Sequence, residues 1–267
     1  MNLIDTHTHL YLKEFSADIA GVMDRAGREG VSKFMLPAID QSEAGAMFRL
    51  EQQFPGKCFA MAGLHPCSVK ANYRDELAAV EKNLQQRSFV AIGETGLDFY
   101  WDTTFAKEQY ESLAVQAAWA LQYHLPLVLH TRNAMQETID VIASYKGQGL
   151  SGIFHCFSGN LQNAREIIGQ NFYLGIGGVI TYKNSGLAEV VRDVDLDYMV
   201  LETDAPYLPP VPFRGKRNES SYLKYIVNKI AEIKQVTAEE VALKTTINAE
   251  RIFTTPNAAF RKDGLAG

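Results

Sequence analysis

Asn2-Leu3-Ile4-Asp5-Thr6-His7-Thr8-His9 puts a short apolar run at the head of the chain and ends it in two histidines. Residues two apart on an extended strand face the same side, so this spacing predicts that both imidazoles reach one place. Taken alone, the pair could chelate a metal or could be a hydrogen-bonded pair of the core. The rest of the chain decides between these. Strands are predicted over 2–6, 33–38, 58–63, 89–93, 127–129, 152–154, 172–175 and 198–201, and amphipathic stretches separate them. Acid, base and metal-ligating side chains follow these runs: His7 and His9 after the first, His65 after the third, Glu94 after the fourth, His130 after the fifth, His155 after the sixth and Asp204 after the eighth.

Eight alternating βα units predict an α/β fold in which a parallel sheet closes into a (β/α)8 TIM barrel, with the strand ends gathered on one rim. A doubly wound open sheet is the alternative, and it is disfavoured because no glycine-rich phosphate fingerprint follows the first strand. Helices are expected over 16–28, with Ser16 as N-cap and Gly30 as stop, and over 105–123. Two more, over 220–234 and 237–248, would close the barrel. No linker, low-complexity tract or sequence repeat divides residues 1–267, which predicts a single domain.

With 267 residues, 46% of them hydrophobic, the chain can bury a large core. Its net charge of −5 argues against electrostatic coating of duplex nucleic acid, which calls for a basic face. Three cysteines, Cys58, Cys67 and Cys156, form no C-x-x-C pair, so neither a disulfide framework nor a thiolate zinc site is indicated. The absence of a leader-like segment or a long apolar run is consistent with a cytoplasmic protein without membrane contact. The oligomeric state is left open, a monomer included.

Four imidazoles and two carboxylates exceed what one tetrahedral ion needs, so two divalent ions are expected, of Mg²⁺, Zn²⁺ or Mn²⁺. Glu94 is placed to bridge them, with His7, His9 and Asp204 on one ion and His130 and His155 on the other. Such a pair can share and acidify a hydroxide and neutralise a phosphoryl or carbonyl group under attack. His65, stiffened by Pro66, is expected to contact substrate rather than metal. The segment Arg214-Gly215-Lys216-Arg217-Asn218 suits phosphate recognition, and Tyr100 and Trp101 are candidates for base stacking. His124 precedes a strand, on the opposite rim, and has no assigned role. The glycines of Gly93-Glu94-Thr95-Gly96 and Gly175-Ile176-Gly177-Gly178 are read as tight turns that let backbone approach the site.

Asp5-Thr6-His7-Thr8-His9, Gly63-Leu64-His65-Pro66, Ile92-Gly93-Glu94-Thr95-Gly96-Leu97-Asp98, His130-Thr131-Arg132, His155-Cys156-Phe157-Ser158-Gly159 and Glu202-Thr203-Asp204-Ala205-Pro206-Tyr207-Leu208 together resemble TatD-type metal-dependent deoxyribonucleases. The resemblance spans almost the whole chain. It implies an amidohydrolase-like barrel, metal positions at His7, His9, Glu94, His130, His155 and Asp204, and 3′-to-5′ exonuclease activity on DNA at single-stranded or frayed ends. That reading makes Asp204 a ligand and proton acceptor, with Glu202 orienting the network and His65, Arg214 or Arg217 holding phosphate. The family pattern has a proline after Asn-Glu in the basic loop, where this chain reads Asn218-Glu219-Ser220-Ser221. Rival readings are a metal-dependent ester, lactone or amide hydrolase on the same fold, and a catalytically silent metal-binding or DNA-repair scaffold.

Overall fold

The computed structural model describes residues 1–254. Strands β1 (Leu3–Asp5), β2 (Val31–Leu36) and β3 (Cys58–Ala60) pair in sequence order, all parallel. Strands β4 (Ile92–Asp98), β5 (Leu127–Arg132), β6 (Gly152–Phe154), β7 (Phe172–Ile176) and β8 (Met199–Leu201) do the same. Both seams between the two ladders are closed. Ala62 bridges Ile92 in parallel register, and the Thr6 N–H donates to the Leu201 carbonyl at 3.0 Å. The result is the eight-stranded TIM barrel that the alternating pattern predicts.

Seven helices link the strands: α1 (Ile19–Arg28), α2 (Gln41–Gln53), α3 (Tyr73–Gln86), α4 (Ala106–Tyr123), α5 (Met135–Ala143), α6 (Leu161–Gly169) and α7 (Leu187–Asp193). After β8 come α8 (Leu223–Lys234) and α9 (Ala238–Thr254). The strands read as near-continuous apolar runs because both of their faces are covered. Leu127 and Leu129 belong to the core beneath the helices, while Val128 between them joins an inner core with Ile4, Met35, Met61, Ala91, Ile153 and Val200. Ala249 and Ile252 of α9 complete that inner core. Asn248 holds α9 in place, donating to the carbonyls of Leu196 and Met199 at 2.8 Å each, and Thr246 donates to the Asn2 carbonyl at 2.8 Å. The last helix therefore plugs the end of the barrel where the strands begin and leaves the other end open.

Some boundaries differ from the sequence expectation, each for a local reason. Residues Lys13–Phe15 form a 3-10 turn, and Ser16 donates its hydroxyl back to the Lys13 carbonyl at 2.8 Å, so it does not cap α1, which begins at Ile19. The closing helices start at Leu223, after a 3-10 turn over Ser220–Tyr222, and run on to Thr254. The largest change is in β4, which continues through Glu94 to Asp98 rather than ending at residue 93. The Gly93–Gly96 piece is thus strand, not turn. Gly96 makes this possible: its φ is +135°, and a Cβ there would sit 2.1 Å from the His130 carbonyl oxygen. Among the described residues, no helix is long and apolar enough to cross a membrane.

Ile153 is buried in the inner core at 1% exposure. Ile153→Ala should lower unfolding free energy by about 2–5 kcal/mol through lost transfer energy and a residual cavity. Denaturant titration checks this, and a loss below about 0.5 kcal/mol would show that the inner core is not close-packed.

Candidate metal centre

At the open end of the barrel, β1 stops at Asp5, and His7 and His9 lie just beyond it in an irregular segment rather than in the strand proper. Backbone bonds still hold this segment to the rim: Thr8 N–H donates to Met35 at 3.1 Å, His9 N–H to Ala205 at 2.7 Å, and Asp204 N–H to His7 at 2.9 Å. The two rings come within 5.2 Å of each other. Nδ1 of His9 lies 3.0 Å from the Tyr11 hydroxyl, which donates its own proton to the Pro37 carbonyl at 2.7 Å. Tyr11 therefore accepts from Nδ1–H, and the lone pair of His9 Nε2 is left facing the barrel mouth.

Glu94 is at the centre, 2% exposed. Its Oε2 lies 3.0 Å from His7 Nε2 and 3.6 Å from His9 Nε2. Its Oε1 lies 3.0 Å from His130 Nδ1, 3.5 Å from His65 Nε2 and 3.6 Å from His155 Nε2. Asp204 Oδ1 closes the group at 3.5 Å from His9, 3.8 Å from His7 and 4.0 Å from His155. All the side chains expected to hold metal are thus brought together, and the two oxygens of Glu94 address different histidines. Burial opposes charge on Glu94, but His7, His65 and His155 outweigh it and hold the carboxyl well below the usual range. Asp204 is also lowered, against burial, by His9 and His155.

The chemistry of these donors fits divalent cations. Nδ1 of His7 is buried without a hydrogen-bond partner, Nε2 faces the Glu94 carboxylate at 3.0 Å, and the ring stacks on His155 at 3.5 Å with 15° between planes. A buried ring so placed is poorly compensated, and a cation held by Nε2 would compensate it. Nδ1 of His155 faces Glu202 Oε1 at 3.0 Å, which directs Nε2 into the cup. Gly175 makes room for that carboxylate, since a Cβ there would come within 2.3 Å of Glu202 Oε2. Burial works against charge on His155, yet Glu202 and Glu94 raise its pKa to about 10.

His65 sits in the same cup with a different orientation. Its Nδ1 accepts the Cys67 N–H at 3.0 Å, so a neutral ring carries its proton on Nε2, the atom facing Glu94. His65 is built to donate. The tautomer fits the substrate contact expected for it.

The basic loop behaves differently from expectation at two positions. Arg217 is committed to α1 and the turn before it, donating to both carboxylate oxygens of Asp18 at 2.8 Å and to the Glu14 carbonyl at 2.6 Å. Asn218 is fully buried and donates to the carbonyls of Thr203 and Tyr207 at 2.7 Å each. Both residues strap the loop to the rim, contacts other than the substrate role expected of them. Glu219 pairs with Arg25 and accepts from Ser221, and Ser220 is buried, so the departure from the family pattern falls inside this strap. Arg214 and Lys216 remain exposed, with Arg214 over the Tyr182 ring at 4.5 Å. His124 ends α4 in a left-handed conformation, away from the cup.

Three contributors were missed in the sequence. Asp98, 1% exposed, faces His130 Nε2 through Oδ2 at 2.8 Å, so both nitrogens of His130 have carboxylate neighbours. Gln116 of α4 accepts from Leu64 N–H at 2.9 Å and donates to Thr95 Oγ1 at 2.7 Å, fixing the segments on either side of His65 and Glu94. Gln109 grips the backbone of Asp98 at 2.9 and 3.2 Å. Polar residues at 109, 112 and 116 lie on one buried face of α4, and that periodicity was the available signal.

A sequence model of TatD related DNases matches residues 4–254. An uncharacterised metal-dependent hydrolase of Bacillus subtilis, YabD, is 37% identical, the match covering 94% of this chain and 98% of that one. The protein of Erwinia tasmaniensis named 3′-5′ ssDNA/RNA exonuclease TatD is 30% identical over 94% of this chain and 99% of its own length. Among solved structures, the TatD homologue YJJV of Escherichia coli superposes with a TM-score of 0.89 at 29% identity, over 95% of this chain and 98% of that chain. With its fold, its cup of histidines and carboxylates and these likenesses in agreement, the chain belongs to the family of TatD related DNases.

Proposed function

We propose that this protein is a phosphodiesterase acting on DNA at single-stranded or frayed ends, in the 3′-to-5′ direction, through two divalent ions held by His7, His9, Glu94, His130, His155 and Asp204. The observation that carries the reading is the split of Glu94, whose two oxygens meet different sets of imidazoles. Bound there, divalent ions would supply Lewis acidity toward a phosphoryl oxygen and toward attacking water. Asp204, the most accessible carboxylate of the cup at 14% side-chain exposure, takes the proton released as water attacks phosphorus, and that proton goes to the sugar oxygen that departs as the ester P–O bond breaks. His65 donates from Nε2 to a non-bridging phosphoryl oxygen, and Arg214 and Lys216 lend positive charge at the rim. Glu202 and Asp98 hold His155 and His130 in register. The whole chain acts in this reading as one barrel domain, with its closing helices beginning near residue 220.

The direct test is release of nucleotides from end-labelled single strands with Mg²⁺, Mn²⁺ or Zn²⁺, repeated with chelator. Asp204→Asn should lower turnover by about 10²- to 10⁴-fold with strand binding largely kept, and normal turnover in that variant would remove Asp204 from its assigned role. Hydrolysis of aryl esters or lactones but of no phosphodiester would favour the rival hydrolase.

Asp98→Asn should weaken metal binding by about 10- to 100-fold, read by chelator competition, while circular dichroism stays that of the wild type. Unchanged affinity would leave Asp98 without a part in the centre.

Metal uptake should also release protons. His155 is held charged in the metal-free cup, with a pKa raised to about 10, and an imidazole must be neutral to ligate. At pH 7 the ion therefore displaces a proton, so affinity rises as pH rises and falls as the cup is acidified. Calorimetry in buffers of different ionisation enthalpy measures this, and binding without proton release would contradict the ligand role of His155.

A further inference from the structure

Outside the cup, one group of rim side chains contributes to no core. Tyr100 and Trp101 follow β4 and are 51% and 68% exposed. Their rings meet edge to face, with centroids 4.8 Å apart. Arg132, the last residue of β5, lies across both: its guanidinium carbon is 3.9 Å from the Tyr100 centroid and 5.0 Å from that of Trp101. Arg132 is itself exposed, and among the described residues no carboxylate pairs with it. Large aromatic area in water and a cation without a counter-charge each add little to stability.

The cluster is fastened to the metal cup through Asp98. One oxygen of Asp98 accepts the backbone N–H groups of Tyr100 and Trp101 at 3.0 and 3.2 Å, and the other faces His130 Nε2 at 2.8 Å. The rings and the guanidinium thus flank the cup from the β4 and β5 ends of the rim.

A ligand that uses both parts needs a flat π face and an anion a short distance from it. Free phosphate would leave the rings unused, and an apolar peptide would leave the guanidinium unpaired. A nucleotide has both. We propose that Tyr100, Trp101 and Arg132 form a nucleotide subsite beside the metal cup, in which the rings stack an unpaired nucleobase and the guanidinium holds the phosphate attached to it. The identity of the ligand rests on the phosphodiesterase reading above. The subsite also moves the main phosphate contact from Arg217, which Asp18 occupies, to Arg132.

The test is binding, measured by fluorescence anisotropy in the Asp204→Asn background so that little strand is consumed. The probes are labelled oligothymidylate and an abasic tetrahydrofuran–phosphate strand of equal length. Trp101→Ala should weaken the base-bearing strand by about 5- to 150-fold and leave the abasic strand close to its starting affinity, with Trp101→Phe restoring most of the loss. Arg132→Ala should weaken both strands and flatten the slope of log affinity against log salt by about 0.7. Equal losses on the two strands for Trp101→Ala, no loss on either, or an unchanged salt slope for Arg132→Ala would overturn the subsite. Because binding is read without turnover, a wild-type protein that binds as expected but cleaves no phosphodiester would overturn the hydrolase reading alone.

Discussion

The buried carboxylate of Glu94 is the constraint around which the open end of this barrel is arranged. Five imidazoles approach its two oxygens, none farther than 3.6 Å. A lone carboxylate taken out of water costs several kcal/mol after relaxation, and imidazoles can offset that cost only by becoming charged themselves. That solution conflicts with the stacking of His7 on His155, where burial and the neighbouring charge push the His7 pKa down while that of His155 goes up. The alternative is to leave the rings neutral and bring the positive charge from outside. Four carboxylates, Glu94, Asp98, Glu202 and Asp204, then stand among neutral rings. Their formal charge is the one that the proposed pair of divalent ions would match.

Neutral rings have to be aimed, and the aiming comes from the fold. Tyr11 does this for His9, Glu202 for His155, Asp98 for His130 and the Cys67 backbone for His65. Each orienting partner sits a few residues from a strand end or on the strand next door. The two seams of the barrel are where this matters most. The seam between β3 and β4 puts His65 beside Glu94, and that between β8 and β1 puts Asp204 beside His7. Helix α4 adds a second grip through Gln109 and Gln116, which clamp the backbone at Asp98 and Leu64. α9 fills the opposite end with apolar side chains, so that the rigid inner core and the polar cup share one set of strands without mixing.

The barrel and the histidines and carboxylates gathered at its open end were legible because both are written in short-range patterns. Apolar runs of strand length followed by His, Glu or Asp are visible in the order of residues. What escaped was information held in the third dimension. Arg217 reads as a free cation because Asp18, the residue that occupies it, is distant in sequence and sits just before α1. Asn218 reads as a polar loop residue because nothing local reveals the two carbonyls that bury it. Asp98 was hidden for the opposite reason. It lies beyond the strand that the sequence predicts to end at residue 93, and Gly96, with its positive φ, lets β4 run far enough to bring it against His130.

This division also indicates where specificity resides. The cup is built from groups that would activate water against any phosphoryl or carbonyl centre, and fold and ligands leave that choice open. Discrimination must then come from side chains that reach past the cup and remain unspent in the folded chain. Arg217 is spent on Asp18, and Asn218 on carbonyls. Among the described residues, Arg132 and Arg214 each meet aromatic rings and pair with no carboxylate. A guanidinium resting on a ring keeps its donors for another partner, and phosphate matches its fork better than an ester or lactone carbonyl does. In a chain of net charge −5, two such cations at the mouth of a carboxylate-rich cup favour an anion that the rest of the surface would repel. That local reversal of charge supports the proposed phosphodiester substrate over neutral esters.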